Sequence, residues 1–382
     1  MKRFFLLLLF PVSAWSQALN SINYQYWYNT DKGFDFSMQK FSNTGDSVQI
    51  YFNLQAVESS SIERLSLSFY RFANMSAKEG EQFSPVIHYF ANSATIKNGV
   101  FAIKAGTDLV VARVTDIAAK RAWVYFVDTS NEIVPALLAL ANGNGITKKY
   151  AETGSTISLW PQPKQVIVSY YKENFPAGSP PYAEVQNMVA SALKPDSVFV
   201  SDGSFTAISN GLYLIQSDTL SKQATAFRIE EDYPKFKKLA SLAAPFTYIT
   251  TKAEYNKIAA AGTDKRLFDR SILAITGDAE RAKFLMRNYF KRVELANQFF
   301  TSYKEGWKTD RGMIYMVFGL PDAVYRTNAS EIWEYAVQGD KVSFTFVRSA
   351  TLFDPDNYVL IRKKKVEDIW LQAVDLNRNA RF

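Results

Sequence analysis

Four carboxylates fall within one short stretch of the chain: Asp310, Asp322, Glu331 and Glu334. Two acids held roughly 5–9 Å apart can hydrolyse a glycosidic bond, and Asp310 with Glu331 is the pair such a reaction would use. Little other reactive chemistry is available. The chain has no cysteine and a single histidine, His88. That removes thiol nucleophiles, thiolate metal sites, disulfides and any multi-histidine metal site. His88 lies in Val86-Ile87-His88-Tyr89-Phe90, on the face of Val86 and Phe90 if that run is extended, which suits a core or edge residue better than a base. Asp354-x-Asp356-Asn357 and Asp128-x-x-Asn131-Glu132 approach calcium loops but lack the full ligand pattern. No Gly-x-Ser-x-Gly elbow, phosphate-binding loop or dinucleotide fingerprint occurs. The balance is against catalysis, and no metal or cofactor is implied.

The elements that would position these residues change character along the chain. At 382 residues, with 47% hydrophobic and 15% aromatic content, the protein has room for two or three packed domains and favours β-rich cores. Residues 1–16 read as a signal peptide: Lys2 and Arg3, an apolar run from Phe4 to Phe10, then Ala14 and Ser16 as small residues before a cleavage point. The run is too short to span a bilayer, which takes roughly 20 residues, and no later stretch approaches that length.

Residues 17–154 alternate as short strands, with Val48, Ile50, Phe52 and Leu54 the clearest case and Ser21 to Tyr28 an aromatic one. Turn signals such as Asp31-Lys32-Gly33 and Asn142-Gly143 separate them, as in an antiparallel sandwich. Residues 155–232 read as a second, smaller β-domain interrupted by the Pro/Gly-rich loop Asn174 to Pro181. Residues 233–382 switch to helical periodicity. Two short helices, Thr251 to Ala261 and Asp264 to Ala274, precede a long one capped by Asp278 and running to Glu305. Its apolar stripe is Ala282, Met286, Tyr289, Val293, Ala296, Phe300 and Tyr303. Strands are expected at Met313 to Phe318, Glu331 to Val337, Lys341 to Arg348 and Tyr358 to Arg362, and a helix at Val366 to Asn377. The fold class is therefore multidomain: two antiparallel β-sandwich-like domains, then an α+β domain with a long helix and a small antiparallel sheet.

The junction after the long helix reads Gly306-Trp307-Lys308-Thr309-Asp310-Arg311-Gly312, followed by Gly319-Leu320-Pro321-Asp322 and later Glu331-Ile332-Trp333-Glu334-Tyr335. These residues, with Tyr289 to Phe300, resemble the GWxTD domain, a family of exported bacterial proteins found largely in Bacteroidota. The resemblance spans roughly residues 235–365 and implies a fold and a compartment rather than an activity. Gly306, Trp307, Thr309, Asp310, Arg311, Gly312, Gly319, Pro321, Asp322, Glu331, Trp333 and Tyr335 are the candidate site. Each also has a structural role open to it: Gly306 as a left-handed helix cap, Trp307 as a plug on the helix end, Thr309 and Asp310 as turn acceptors. Arg311 has Asp310, Asp322 and Glu331 as possible partners.

Charge is divided unevenly. Residues 17–232 carry 17 Lys/Arg against 20 Asp/Glu, and residues 233–382 carry 25 against 17, so the last part presents a basic face. Its densest run is Arg362-Lys363-Lys364-Lys365. In an exported protein nucleic acid is not the expected partner of such a run, and a solvated strand end is the simplest reading. The combined expectation is a periplasmic binding or scaffold protein that docks on other envelope proteins, outer-membrane ones among them. The alternative is a glycan-active hydrolase or glycan-binding protein that uses the carboxylates above.

Overall fold

In a computed structural model, Val48, Ile50, Phe52 and Leu54 line the buried face of the strand Ser47–Ala56. The structure describes residues 17–44, 47–57, 60–104, 106, 109–129, 135, 137–172, 174–184, 193–220 and 223–379. The expected signal segment 1–16 and the Asn131-Glu132 end of one calcium-like run lie outside them. Among the described residues no helix is long and apolar enough to cross a membrane.

The first sandwich pairs two four-stranded antiparallel sheets. One runs Phe34–Thr44, Ser47–Ala56, Ile96–Lys104, His88–Asn92 in spatial order, and the other Glu81–Phe83, Leu65–Phe72, Leu109–Asp116, Arg121–Asp128. Phe36, Ile50, Phe52, Phe69, Phe101 and Tyr125 fill the space between them. The strand Leu109–Asp116 is buried on both faces along its first four residues. Val110 and Ala112 point into this core, whereas Leu109 and Val111 join a second core shared with the C-terminal domain. A doubly covered strand loses the polar half of its alternation.

The second sandwich stacks the sheet Asn144–Gly145, Leu138–Ala141, Thr156–Trp160, Ser204–Thr206 on a five-stranded sheet. The latter runs Tyr150–Glu152, Ala224–Glu230, Gly211–Gln216, Val166–Tyr171, Ser197–Ser201. Its pairing of Tyr150–Glu152 with Ala224–Glu230 is parallel, and the rest is antiparallel. Strands from Leu138 to Glu152 thus pair with strands beyond residue 155, where the sequence places a boundary. Leu138 and Leu140 also pack on Phe41, Tyr51 and Val100 of the first sandwich.

The C-terminal domain is α+β. Helices Lys252–Ala260, Lys265–Thr276 and Ala279–Phe300 lead to the short helix Asp310–Phe318. The antiparallel sheet Ala323–Arg326, Ser330–Val337, Asp340–Arg348, Tyr358–Leu360 and the helix Glu367–Arg378 follow. Asp278 caps the long helix as expected, accepting from the amides of Glu280 and Arg281 at 2.9 and 3.0 Å.

Three expectations need correction. Met313 to Phe318 is helix, not strand: its residues are buried on nearly all sides, and a short apolar run has no polar face to reveal its period. The long helix ends at Phe300 rather than Glu305, because Thr301 turns out of the helical region. Ser21 to Tyr28 is not a strand but two 3₁₀ turns, Leu19–Ser21 and Gln25–Tyr28. This N-terminal segment sits in the C-terminal domain's core. Leu19, Tyr24 and Tyr28 are buried there with Trp333, Phe300 and Val324. Its Asn23 donates to the Asp322 carbonyl at 3.2 Å and accepts from the Val324 amide at 2.9 Å, clasping the edge of the sheet.

Candidate functional site

The motif begins where the long helix stops. Gly306 is no left-handed cap; it opens a 3₁₀ turn, Gly306–Lys308, pressed against the helix. A Cβ on Gly306 would stand 2.1 Å from the Ala296 carbonyl oxygen, and one on Gly312 would stand 1.9 Å from that of Gly306. Only hydrogens fit between these backbones. Asn297, fully buried, accepts from the Trp307 amide at 3.0 Å and donates to the Pro234 carbonyl at 2.9 Å. The Trp307 ring is buried and meets Tyr248 edge-on. Thr309 then caps the next helix, its hydroxyl accepting from the Gly312 amide at 3.0 Å.

Asp310 of the candidate site and Arg362 of the basic run come together. The Arg362 fork engages both Asp310 oxygens, with contacts of 2.7 and 3.3 Å. The carboxylate also accepts from the Leu360 amide at 2.8 Å. Arg362 reaches further, to the Ser179 carbonyl at 2.9 Å. Its side chain is only 3% exposed, so Arg362 does not belong to a solvated basic run. Lys363 is held by its backbone, donating to the Pro181 carbonyl at 2.9 Å. Lys364 pairs on the surface with Glu367, and Lys365 is exposed.

The Pro/Gly-rich loop of the second sandwich is thereby strapped across the motif. The Gly178 amide donates to the Lys308 carbonyl at 2.9 Å, and a Cβ on Gly178 would come within 2.9 Å of Asp310 Oδ1. Lys308 reaches the Asn174 side chain, and Lys304 the Pro176 carbonyl at 3.3 Å. Burial pushes the Lys304 ammonium down to about 8.

Glu331 forms a second centre. It is fully buried and accepts from the Trp333 indole at 2.6 Å and from the Tyr28 hydroxyl. Arg311 and Arg326 flank it at 3.4 and 3.7 Å. Of the three acids within Arg311's expected reach, Glu331 is the ion-pair partner found. Arg311 lies over the Tyr358 ring and Arg326 over Trp27, at 4.4 and 4.2 Å from the centroids. Burial alone would raise the Glu331 carboxyl, but Arg326, Arg311 and the two hydrogen bonds outweigh it and hold it below the ordinary carboxylate range. Burial and the neighbouring Glu331 raise the Tyr28 phenol, so it stays a donor.

The remaining candidates serve the sheet. Asp322 accepts from the Ala336 amide at 2.7 Å, next to buried Pro321. Tyr335 donates to the Gly319 carbonyl at 2.9 Å. Glu334 faces solvent. Asp354 is buried too, bound by Lys149 of the second sandwich and by Ser302, while Asp356 pairs with Arg348 at 3.0 Å. Those contacts make the Asp354 run a tie between units. Among the described residues no group of three or more His, Asp or Glu is placed to hold a metal ion.

Two cavities border this region. One, of about 340 Å³, lies among all three units and is lined by Trp27, Lys40, Tyr125, Arg311, Arg326 and Asp356. The other, an open groove of about 490 Å³, is lined by Phe175, Glu230, Asp232, Phe236, Glu305 and Lys308. Sequence reasoning missed Tyr28, Arg326 and Asn297, which hold the motif from distant positions. Nothing in their local spacing marks them.

The model of the GWxTD domain matches residues 211–379. The match starts at Gly211, inside the second sandwich and earlier than the expected 235. Its last two strands are joined to the domain physically: buried Arg228 donates to the Tyr303 carbonyl at 2.9 Å, and Leu212 and Leu214 pack with Tyr303 and Phe353. Among solved structures, the full ectodomain (Ig1–Ig3) of mouse nectin-like molecule 4 aligns at 9% identity over 53% of this chain, with a TM-score of 0.17. The chain spans 65% of that ectodomain, just under two thirds, and the score is too low to bear on fold or function. No curated protein matches. Over residues 211–379, this chain is therefore similar to the GWxTD domain.

Proposed function

We propose that this protein is an exported binding or scaffold protein of the bacterial periplasm, an accessory module of an outer-membrane assembly or secretion complex. The observation that supports this reading is where the motif spends its charges. Asp310 and Glu331 are both buried and both engaged by arginines of the same chain. A hydrolytic pair needs access to substrate and water, and one of its acids must hold a proton at working pH. Glu331 has neither the access nor, with its carboxyl held low, the proton. The motif instead fastens three modules into one body, which suits a platform that presents surfaces. Export rests on the signal-like residues 1–16.

The test is mild crosslinking of the native envelope, affinity purification of the tagged protein and mass spectrometry of what accompanies it. An envelope protein recovered in constant stoichiometry is the expected result. Recovery with no other protein, together with glycan cleavage by the purified chain that Asp310→Asn abolishes at unchanged stability, would overturn the proposal.

A further inference from the structure

Asp196-Ser197-Val198-Phe199-Val200-Ser201-Asp202 reads the same in both directions. Five of these residues, Ser197–Ser201, form the last strand of the five-stranded sheet. Their inner edge pairs with Val166–Tyr171, Val168 opposite Phe199. Among the described residues no strand pairs with the outer edge. Val198 and Val200 are each 55% exposed and Phe199 37%. Successive residues of a strand point to opposite faces. Phe199 therefore shares one face with Phe205, whose ring it meets edge-on at 5.4 Å, and the two valines lie on the other. Edge strands are ordinarily protected by a charge, a proline or a bulge. Ser197–Ser201 contains neither charge nor proline, and its five pairs with the neighbouring strand run without a register shift.

We propose that a second copy of this chain docks on this edge, strand against antiparallel strand, about a two-fold axis through Phe199. An open edge carries free amide and carbonyl groups that another strand completes. A two-fold interface places residue i opposite j and j opposite i. Centred on Phe199, that symmetry sets Phe199 against its own counterpart, Val198 against Val200 and Ser197 against Ser201. Every pair within the strand then matches like with like, apolar on apolar and hydroxyl on hydroxyl, the kind of cross-strand match that stabilises a sheet. A strand from an unrelated protein would require no palindrome. The product is a continuous ten-stranded sheet across the axis. Repulsion is confined to its ends, where Asp196 faces Asp202 of the second copy. Asp196 is already bound there to the Lys172 amide at 2.7 Å. Added salt screens that pair, so dimerisation should strengthen as ionic strength rises.

The absence of native cysteine makes the register directly testable. Facing residues of antiparallel strands have Cα atoms about 4.5–5.5 Å apart, within the span a disulfide bridges. The protein, expressed without residues 1–16, should show a concentration-dependent monomer–dimer equilibrium in sedimentation velocity. Mild oxidation should crosslink the Phe199→Cys variant into a covalent dimer and leave Ile208→Cys, at a more exposed position in a loop, monomeric. The double variant Val198→Lys, Val200→Lys should lose the dimer while its circular dichroism stays that of the parent and its thermal midpoint that of the parent diluted to monomer. A monomer at every concentration and salt level would overturn the proposal. So would a dimer that survives the double lysine variant, or oxidation that crosslinks both cysteine variants equally.

Discussion

The Tyr28 hydroxyl donates to the Glu331 carboxylate across 303 positions of sequence. That bond places the first described turns of the chain at the heart of its last domain. Glu331 stands between two guanidinium groups, and Tyr28 with Trp333 supplies the remaining hydrogen bonds a buried carboxylate needs. The Tyr28 ring packs against Phe300 and Trp333, so the polar contact is sealed by aromatic ones.

Replacing Glu331 with Gln should therefore act on stability. It leaves Arg311 and Arg326 buried without a counter-charge, and breaking such a cluster costs roughly 3–5 kcal/mol. Tyr28→Phe removes one hydrogen bond to a charged group and should cost about 1.5–3 kcal/mol. Urea unfolding followed by tryptophan fluorescence measures both. An unchanged midpoint for Glu331→Gln would mean that the cluster contributes nothing to the fold.

Legibility in the sequence followed the range of the interaction. The alternation of Val48, Ile50, Phe52 and Leu54 and the Asp278 cap are local, and both were readable because period and capping act within a few residues. The helix Asp310–Phe318 was not, since a short segment covered on nearly all sides shows neither a strand's period nor a helix's. Thr309 did carry a readable signal: a threonine three residues before Gly312 is a helix N-cap as readily as a turn acceptor. The motif's residues were identifiable from the resemblance, but their partners were not. Tyr28, Ser179 and Lys149 meet Glu331, Arg362 and Asp354 only because three folded units dock, and one chain's local pattern does not encode docking.

Arg362 and its lysine neighbours should separate cleanly. Arg362→Ala strips the fork from buried Asp310 and the tie to Ser179, and the expected loss is about 3 kcal/mol or more. Arg362→Lys should recover only part of it, because an ammonium cannot engage both oxygens in the same geometry. Lys364→Ala and Lys365→Ala lie at the surface and should stay within about 0.5 kcal/mol of the parent. Thermal denaturation of the four variants side by side tests the division.

Acid should loosen the C-terminal domain before the sandwiches. Hydrogen bonds from Arg378 hold the Glu254 carboxyl at about 2, below its ordinary 4.5, with the Thr251 amide also helping. A carboxyl lowered by folding contributes stability above its unfolded value and loses it as pH falls toward the folded one. Protonation below pH 4.5 thus weakens the bond between the helices Lys252–Ala260 and Glu367–Arg378, and the lowered carboxyl of Glu331 acts with the same sign. The thermal midpoint should fall between pH 4.5 and 2. Glu254→Gln should flatten that slope, and an identical pH profile for the variant would rule Glu254 out as a source.

Removing residues 17–28 tests whether the N-terminal segment belongs to the last domain. The deletion withdraws Leu19, Tyr24 and Tyr28 from the core and uncaps Glu331. It also removes Trp27 from beneath Arg326 and Asn23 from the edge strand Ala323–Arg326. The first sandwich keeps its own core of Phe36, Ile50, Phe52 and Phe101 and should remain folded. Limited proteolysis should then cut the truncated protein first within residues 310–360, with the fragment covering residues 34–128 surviving longest. Hydrogen exchange should show the same order, the amides of Ser330–Val337 losing protection while those of Ser47–Ala56 keep it. Equal protection in both strands would mean that the sheet around Glu331 stands without the N-terminal segment.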